Sequence, residues 1–367
     1  ENKTNSTLKE SWNLDQLPFS ISDFSVLGFS GRESKWLKDE PSSVKVHLNQ
    51  SQSLKDPMTD SFHSLSDKIS KPGLEIEVLE DVQLELPILC LFFSSGEPTW
   101  NVYNHKIILN KNSTASFIFA NASESSMDSL TSHLVSSELA ESSTLKIAHL
   151  NHLEATANAY VRFHFNQDRE SKLEFIDLGL GVGLGRCEIH VNLNEGQAES
   201  HVSGIHLLRD SQVYDTRIKM IHHAADTVSR QNFKCVVGDK AHSLFGGHIL
   251  IQKDAQRVDS SQSHKALIIS KGAKSSAFPE LEVHADDVKA AHGSSTGQMD
   301  PEQIFYLKSR GLTEKDSVHL LSEAFVKDVV LKQSDPKIRL FLNEVLTRSL
   351  PAKSTRDRVA LTFSPVT

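Results

Sequence analysis

Residues Pro279 to Leu312 read PELEVHADDVKAAHGSSTGQMDPEQIFYLKSRGL, and this stretch divides into three unlike parts. Pro279 to His284 has the apolar alternation of a strand, with Glu280, Glu282 and His284 on one face. A polar segment follows, carrying Asp286, Asp287 and His292 among Gly, Ser and Thr. Asp300 then reads as a helix cap, with Pro301 at the first helical position, Gln303 at the third and Gly311 as the stop. The stretch is therefore a junction between a strand architecture and a helical one.

Working upstream, Gly73 to about His284 consists of short period-two runs separated by Gly, Asn, Asp and Ser. Cys187, Ile189, Val191 and Leu193 alternate with Glu188, His190 and Asn192, as a half-buried strand requires. No helical period intervenes, which excludes a doubly wound α/β sheet and leaves a sandwich, a barrel or a β-solenoid. Downstream, Thr313 starts a second helix with an apolar stripe of Val318, Leu321, Phe325 and Val329. Asp335 and Pro336 open a third, which ends before Pro351. The chain thus divides into an irregular, Ser- and Asn-rich lead-in (1–72), a β core (73–293) and a C-terminal helical region (294–367).

Composition narrows the function. The 367 residues, 38% hydrophobic, suffice for a substantial core. A formal charge of -8 argues against nucleic-acid binding, which needs a basic stripe to displace counterions. Three cysteines, Cys90, Cys187 and Cys235, without a C-x-x-C spacing point to a reducing compartment, not a disulfide framework. The longest apolar run, Leu86 to Phe93, contains Pro87 and falls short of the ~20 residues of a membrane-spanning helix. The GLGVGLG segment, Gly179 to Gly185, precedes a strand and not a helix, so it offers no helix N-terminus to a phosphate. No Walker A or H-E-x-x-H sequence occurs, and the chain reads as a non-enzyme.

The junction closely resembles the C-terminal signature of the SufB/SufD family, the scaffold subunits of the Suf iron–sulfur cluster assembly complex. There the pattern is LEI-x-ADDV-K-x-x-HG-x-T-x-G, then a helix with LFYLxSRG. Leu281, Glu282, Ala285 to Lys289, His292, Gly293, Thr296, Gly297, Phe305 to Leu307 and Ser309 to Gly311 match. Ile221 to Ala273 follows the family's preceding run as well. Glu10, Trp12, Asp15 and Pro18 are similar to its entrance segment, with Asn13 and Leu14 in place of Arg and Tyr. The SufD branch fits better than SufB. The resemblance implies a mostly β fold, a right-handed parallel β-helix with a small C-terminal α-helical domain.

Site expectations follow from both readings. His292 offers iron or zinc a neutral imidazole ligand, and Glu282 and His284 are secondary candidates. The resemblance implies that His292 faces a SufB-like partner, opposite that partner's cysteine. It also implies that a SufC-like ATPase docks on the C-terminal helices, with Phe305, Tyr306, Leu307, Lys308 and Arg310 as the contact set. Family members often carry Cys two places before this His, where this chain has Ala290. The implied chain binds no cofactor tightly by itself, holds iron or a nascent cluster transiently, and pairs with itself when isolated. It contacts neither nucleic acid nor membrane. A start at Glu1 without Met suggests a processed product of bacterial cytoplasm or plastid stroma. The competing readings are a carbohydrate-active β-helix lyase or hydrolase, weakened by 7% aromatic content, and a structural β-solenoid adhesin, expected to carry a secretion signal and tidier repeats.

Overall fold

The computed structural model describes residues 23–29, 34–48, 69–94, 100–123, 130–152 and 157–350. Its strands begin with β1 (Ser25–Phe29), β2 (Ser34–Lys38), β3 (Val44–Leu48), β4 (Lys71–Val78), β5 (Ile88–Ser94) and β6 (Trp100–Leu109). They continue with β7 (Thr114–Ser123), β8 (Leu130–Leu139), β9 (Thr144–His152), β10 (Asn158–Gln167), β11 (Lys172–Gly181) and β12 (Leu184–Leu193). The last are β13 (Glu199–Leu208), β14 (Val213–His222), β15 (Val228–Val237), β16 (His242–Ile251), β17 (Val258–Ile268), β18 (Lys274–Val283) and β19 (Val288–Gln298). Three helices follow: α1 (Pro301–Ser309), α2 (Glu314–Leu331) and α3 (Pro336–Ser349).

From β4 onward each strand pairs in parallel with the strand two places along, so alternate strands build two sheets. One runs β19-β17-β15-β13-β11-β9-β7-β5-β1-β2 and is called sheet A; the other runs β18-β16-β14-β12-β10-β8-β6-β4-β3 and is called sheet B. This is a parallel β-solenoid, and it decides among the three architectures that alternation alone leaves open. One turn lifts the chain by about 26 to 32 residues: Glu188 stands on Arg162, Gln262 on Gln231 and Lys274 on His242. Tight turns repeat with that period, closed by backbone bonds such as Ser113 N–H to Asn110 C=O and Ser143 N–H to Ala140 C=O. Asn112, Ser142 and Glu170 take positive φ at these corners.

The lead-in contributes structure that its composition conceals. Within residues 1–72, β1 joins sheet A in parallel with β5, while β2 and β3 add antiparallel to β1 and β4. These two strands are the edge strands of their sheets at the N-terminal end of the coil. The KESWNLDQLPF segment lies outside the described residues. At the other boundary, β19 carries the β core through Gln298, beyond the expected limit at residue 293.

Two cores hold the chain together. The first fills the lumen between the sheets, with Phe117, Phe163, Phe165, Phe175, Phe233 and Phe245 all buried. The second lies on the outer face of sheet A, where Leu89, Ile118, Leu150, Leu178 and Ile205 meet Val326, Val329, Val330, Phe341, Leu342 and Val345 of α2 and α3. The deepest positions of α2 are Ser317, Ser322, Val326, Val329 and Val330, so its buried stripe lies beside the one read from Val318, Leu321 and Phe325. Asp335 caps α3 through Lys337 N–H and Ile338 N–H and also accepts from Ser116 Oγ at 2.7 Å, tying helix to sheet.

The GLGVGLG segment has a packing role. A Cβ on Gly185 would meet the Tyr214 ring at 2.5 Å and one on Gly179 would meet it at 2.9 Å, so both glycines make room for a buried tyrosine. Gly293, in contrast, faces open space. Gly185→Ala is therefore expected to lower the unfolding free energy by ~1–3 kcal/mol as an overpacked core does, and Gly293→Ala to stay within ~0.5 kcal/mol. Urea denaturation midpoints of the two variants check this.

Candidate functional site

The two ends of the solenoid differ. At the C-terminal end β18 and β19 are the last strands of their sheets, and among the described residues nothing pairs with their outer edges. Phe278 is 56% exposed and Val283 is also exposed. Unpaired edges with apolar side chains invite strand addition by another chain.

His292 lies on β19, in a strand and not in a loop, and it is exposed. Its register partner is Gln262, whose own partner is Gln231. Behind these the same row continues through Val202, Phe175, Ile147 and Phe117, all buried in the lumen. His292 therefore ends a column that is apolar inside the coil and turns polar at its mouth. Gln262 Nε2 donates to Gln231 Oε1 at 2.7 Å, so the two amides brace each other directly behind the histidine. Neither glutamine stands out in the sequence; their signal is the shared inward parity with the Phe117 row.

Glu282 and His284 lie elsewhere. On sheet B the inward positions of β16 are Phe245, Gly247 and Ile249, which pair with Ala277, Pro279 and Leu281. Glu280 and Glu282 alternate with these and face outward. Glu282 bonds His284 Nε2 at 2.7 Å and His248 Nε2 at 3.2 Å. The hydrogen bond from His284, joined by that from His248, holds the carboxyl below its ordinary range. The structure thus groups Glu282 and His284 with His248 on the outer face of sheet B, and His292 on the inward row of sheet A. Asp286 and Asp287 occupy the bend between β18 and β19, both exposed, with Asp287 N–H bonded to Gln256 Oε1.

Helix α1 buries none of its residues. Phe305 is 74% exposed and Tyr306 57%. Arg310 lies over the Tyr306 ring at 5.3 Å and Lys308 pairs with Glu314 at 2.9 Å, so both cations are already engaged within the chain. Leu307 is half-buried. Of the five, Leu307 is the one drawn partly inward and the others are exposed; the neighbouring α2 is anchored by Lys234 to Asp328 at 2.7 Å and to Phe325 C=O at 2.7 Å. Beside that anchor a groove of about 500 Å³ separates α2 from sheet A, lined by Arg230, Lys265, Lys332 and Glu174 among others.

Part of the remaining polar chemistry is sealed in the lumen. All three cysteines are buried; burial pushes the Cys235 thiol up to about 11, and the Cys90 and Cys187 thiols rise as well. His105 and His222 are each held down to about 3 by burial and His264 to about 4. His222 bonds Thr227 Oγ1 and Ser229 Oγ, while its neighbour His223 reaches Asn192 outside, so the pair diverges as strand neighbours do.

Residues 92–325 match the family described as "SUF system FeS cluster assembly, SufBD core domain". The iron–sulfur cluster assembly protein SufD of Escherichia coli is 26% identical over 91% of this chain and 80% of its own length. A SufBD family protein of Synechocystis is 29% identical over 45% of this chain and 36% of its own. The chloroplastic protein ABCI7 of Arabidopsis thaliana is 26% identical over 51% of this chain and 40% of its own. The chain thus spans well under half the length of two of these relatives and most of the third. Among the described residues no helix is long and apolar enough to cross a membrane.

Acid should destabilise this fold early. Histidines held neutral below their unfolded value near 6.5 leave stability complete above that pH, and it drains away as pH falls toward about 4 and then 3. Thermal midpoints are expected to drop steadily between pH 6.5 and 4. His222→Gln should flatten that slope; an unchanged slope would mean that His222 does not contribute to it.

Proposed function

Because the chain belongs to the SufBD core family, we propose that it is a SufD-like scaffold subunit: it pairs with a SufB-like subunit, carries a SufC-like ATPase, and aids iron acquisition and cluster formation without catalysing a reaction of its own. The observation that carries this reading is the C-terminal end of the coil, where β18 and β19 leave outer edges that nothing pairs among the described residues, beside exposed Phe278 and Val283. A second β-solenoid that lays its own strands along these edges satisfies their backbone groups and covers the apolar side chains.

In this reading iron is cargo at the joint between subunits. His292 supplies a neutral imidazole nitrogen from the mouth of the coil, and the Gln262–Gln231 pair behind it fixes the floor against which it stands. The partner supplies the remaining ligands. The sites of pairing and of ATPase docking are separate: the first is strand edge, the second is the aromatic surface of α1. ATP binding by the docked subunit would act on the joint through α2, which is fixed to sheet A by its own apolar face.

Co-expression with a SufB-like and a SufC-like subunit from one host tests the assembly. The three are expected to co-purify, and Phe305→Asp with Tyr306→Ala to release the ATPase while the SufB-like chain stays bound. Isolation as a homodimer that never exchanges with a SufB-like subunit would overturn the pairing. His292→Ala should shift stability by less than ~0.5 kcal/mol, as exposed substitutions do, yet fail to restore cluster maturation in cells lacking the native subunit. Full rescue under iron limitation would remove the metal role.

A further inference from the structure

His149 of β9, Asp177 of β11 and Cys187 of β12 converge inside the lumen, each placing one ligand atom within 4.8 Å of the others. All three side chains are buried. His149 Nδ1 lies 2.7 Å from Asp177 Oδ1, and the ring's Nε2 has no hydrogen-bond partner although the residue is only 2% exposed. His206 Nε2 at 3.2 Å and Tyr214 OH at 3.0 Å hold the other carboxylate oxygen. Burial pushes the Asp177 carboxyl up, but the hydrogen bonds from His149 and His206 outweigh it and keep the group ionised.

We propose that His149, Asp177 and Cys187 bind a resident divalent transition-metal ion, Zn²⁺ or Fe²⁺, inside the solenoid. The donor set of imidazole nitrogen, carboxylate oxygen and thiolate sulfur suits both ions. Ligand atoms around a tetrahedral ion with bonds of ~2.0–2.3 Å stand ~3.3–3.8 Å apart, so side-chain rotations alone bring the three into place. Binding replaces the Cys187 S–H bond by a metal–sulfur bond and releases one proton. The product, a dication with one thiolate and one carboxylate, is neutral. His206 and Tyr214 orient the carboxylate from behind. The ligands come from successive turns and face a closed lumen, so the ion enters as the coil winds. This site is distinct from the exposed His292 and does not depend on a partner subunit.

The test uses the full chain expressed in medium supplemented with Zn²⁺, Fe²⁺ or Co²⁺ and gel-filtered in EDTA, which strips ions from exposed histidines. Close to one equivalent should remain in the wild type and in Cys90→Ser/Cys235→Ser, and at least fivefold less in Cys187→Ser. The Zn²⁺ and Fe²⁺ arms, read by elemental analysis, identify the preferred ion. In the Co²⁺ arm a thiolate-to-cobalt absorption band should appear and vanish in Cys187→Ser. Wild-type protein holding no more metal than Cys187→Ser, or a cobalt band that survives that substitution, overturns the site. Should circular dichroism show Cys187→Ser unfolded, X-ray absorption on Cys90→Ser/Cys235→Ser decides, because Cys187 is then the sole thiol: a sulfur neighbour at the metal supports the site and its absence overturns it.

Discussion

Everything in this chain depends on the parallel ladder between a strand and the strand two places later. In such a coil the hydrogen-bond partners of a strand's backbone lie one full turn away, so no hairpin can satisfy them locally. Each residue also stands on the residue one turn below, and inward positions therefore form columns. Phe117, Ile147, Phe175 and Val202 make one column. Ser200, Ser229, Ser260 and Ala290 make another, in which Ser229 and Ser260 bond at 2.7 Å. A column of small hydroxyls draws the sheets together where a column of rings holds them apart. The lumen is shaped by columns, not by individual residues.

The same ladder creates the problem of ends. A coil of this kind cannot close on itself as a barrel does, so each terminus leaves two strand edges to be covered. At the N-terminal end the chain reverses direction in β2 and β3, which run antiparallel along β1 and β4 and become the edge strands themselves. At the C-terminal end it turns away into helices that cover the outer face of sheet A instead. The helices consequently do two things at once. They bury an apolar sheet face that would otherwise be exposed over many turns, and they lift α1 clear of the body with both aromatics outward.

What could be read in the sequence was what is local. The alternation of Cys187 to Leu193 is that of β12, and Asp300, Thr313 and Asp335 cap the three helices through their side chains. Gly311 takes positive φ just past α1, as a helix stop requires. What escaped was what spans a turn. The rise of about 26 to 32 residues is carried by small buried corners such as Ser113, Ser143 and Ser171, which composition counts merely as polar. The strands of the lead-in were hidden for the same reason: β1 is strand because β5 stands beside it, not because of its own pattern. His292 can be singled out by its residue type and its place in the motif, but its strand and its column with Gln262 are properties of register. Glu282 and His284 lie near it along the chain and on another face of the coil, a separation that only the two-sheet winding produces.

The columns also settle what chemistry the chain has to offer at its open mouth. Its three cysteines, Cys90, Cys187 and Cys235, are all inward and buried, and burial raises each thiol, so none is a thiolate that a partner can reach at neutral pH. At the mouth itself the position two before His292 is Ala290, which continues the serine column and packs against the lumen. The exposed end therefore presents nitrogen and oxygen donors, amide braces and free strand edges but no cysteine, so a metal that met it would find no reachable thiolate from this chain.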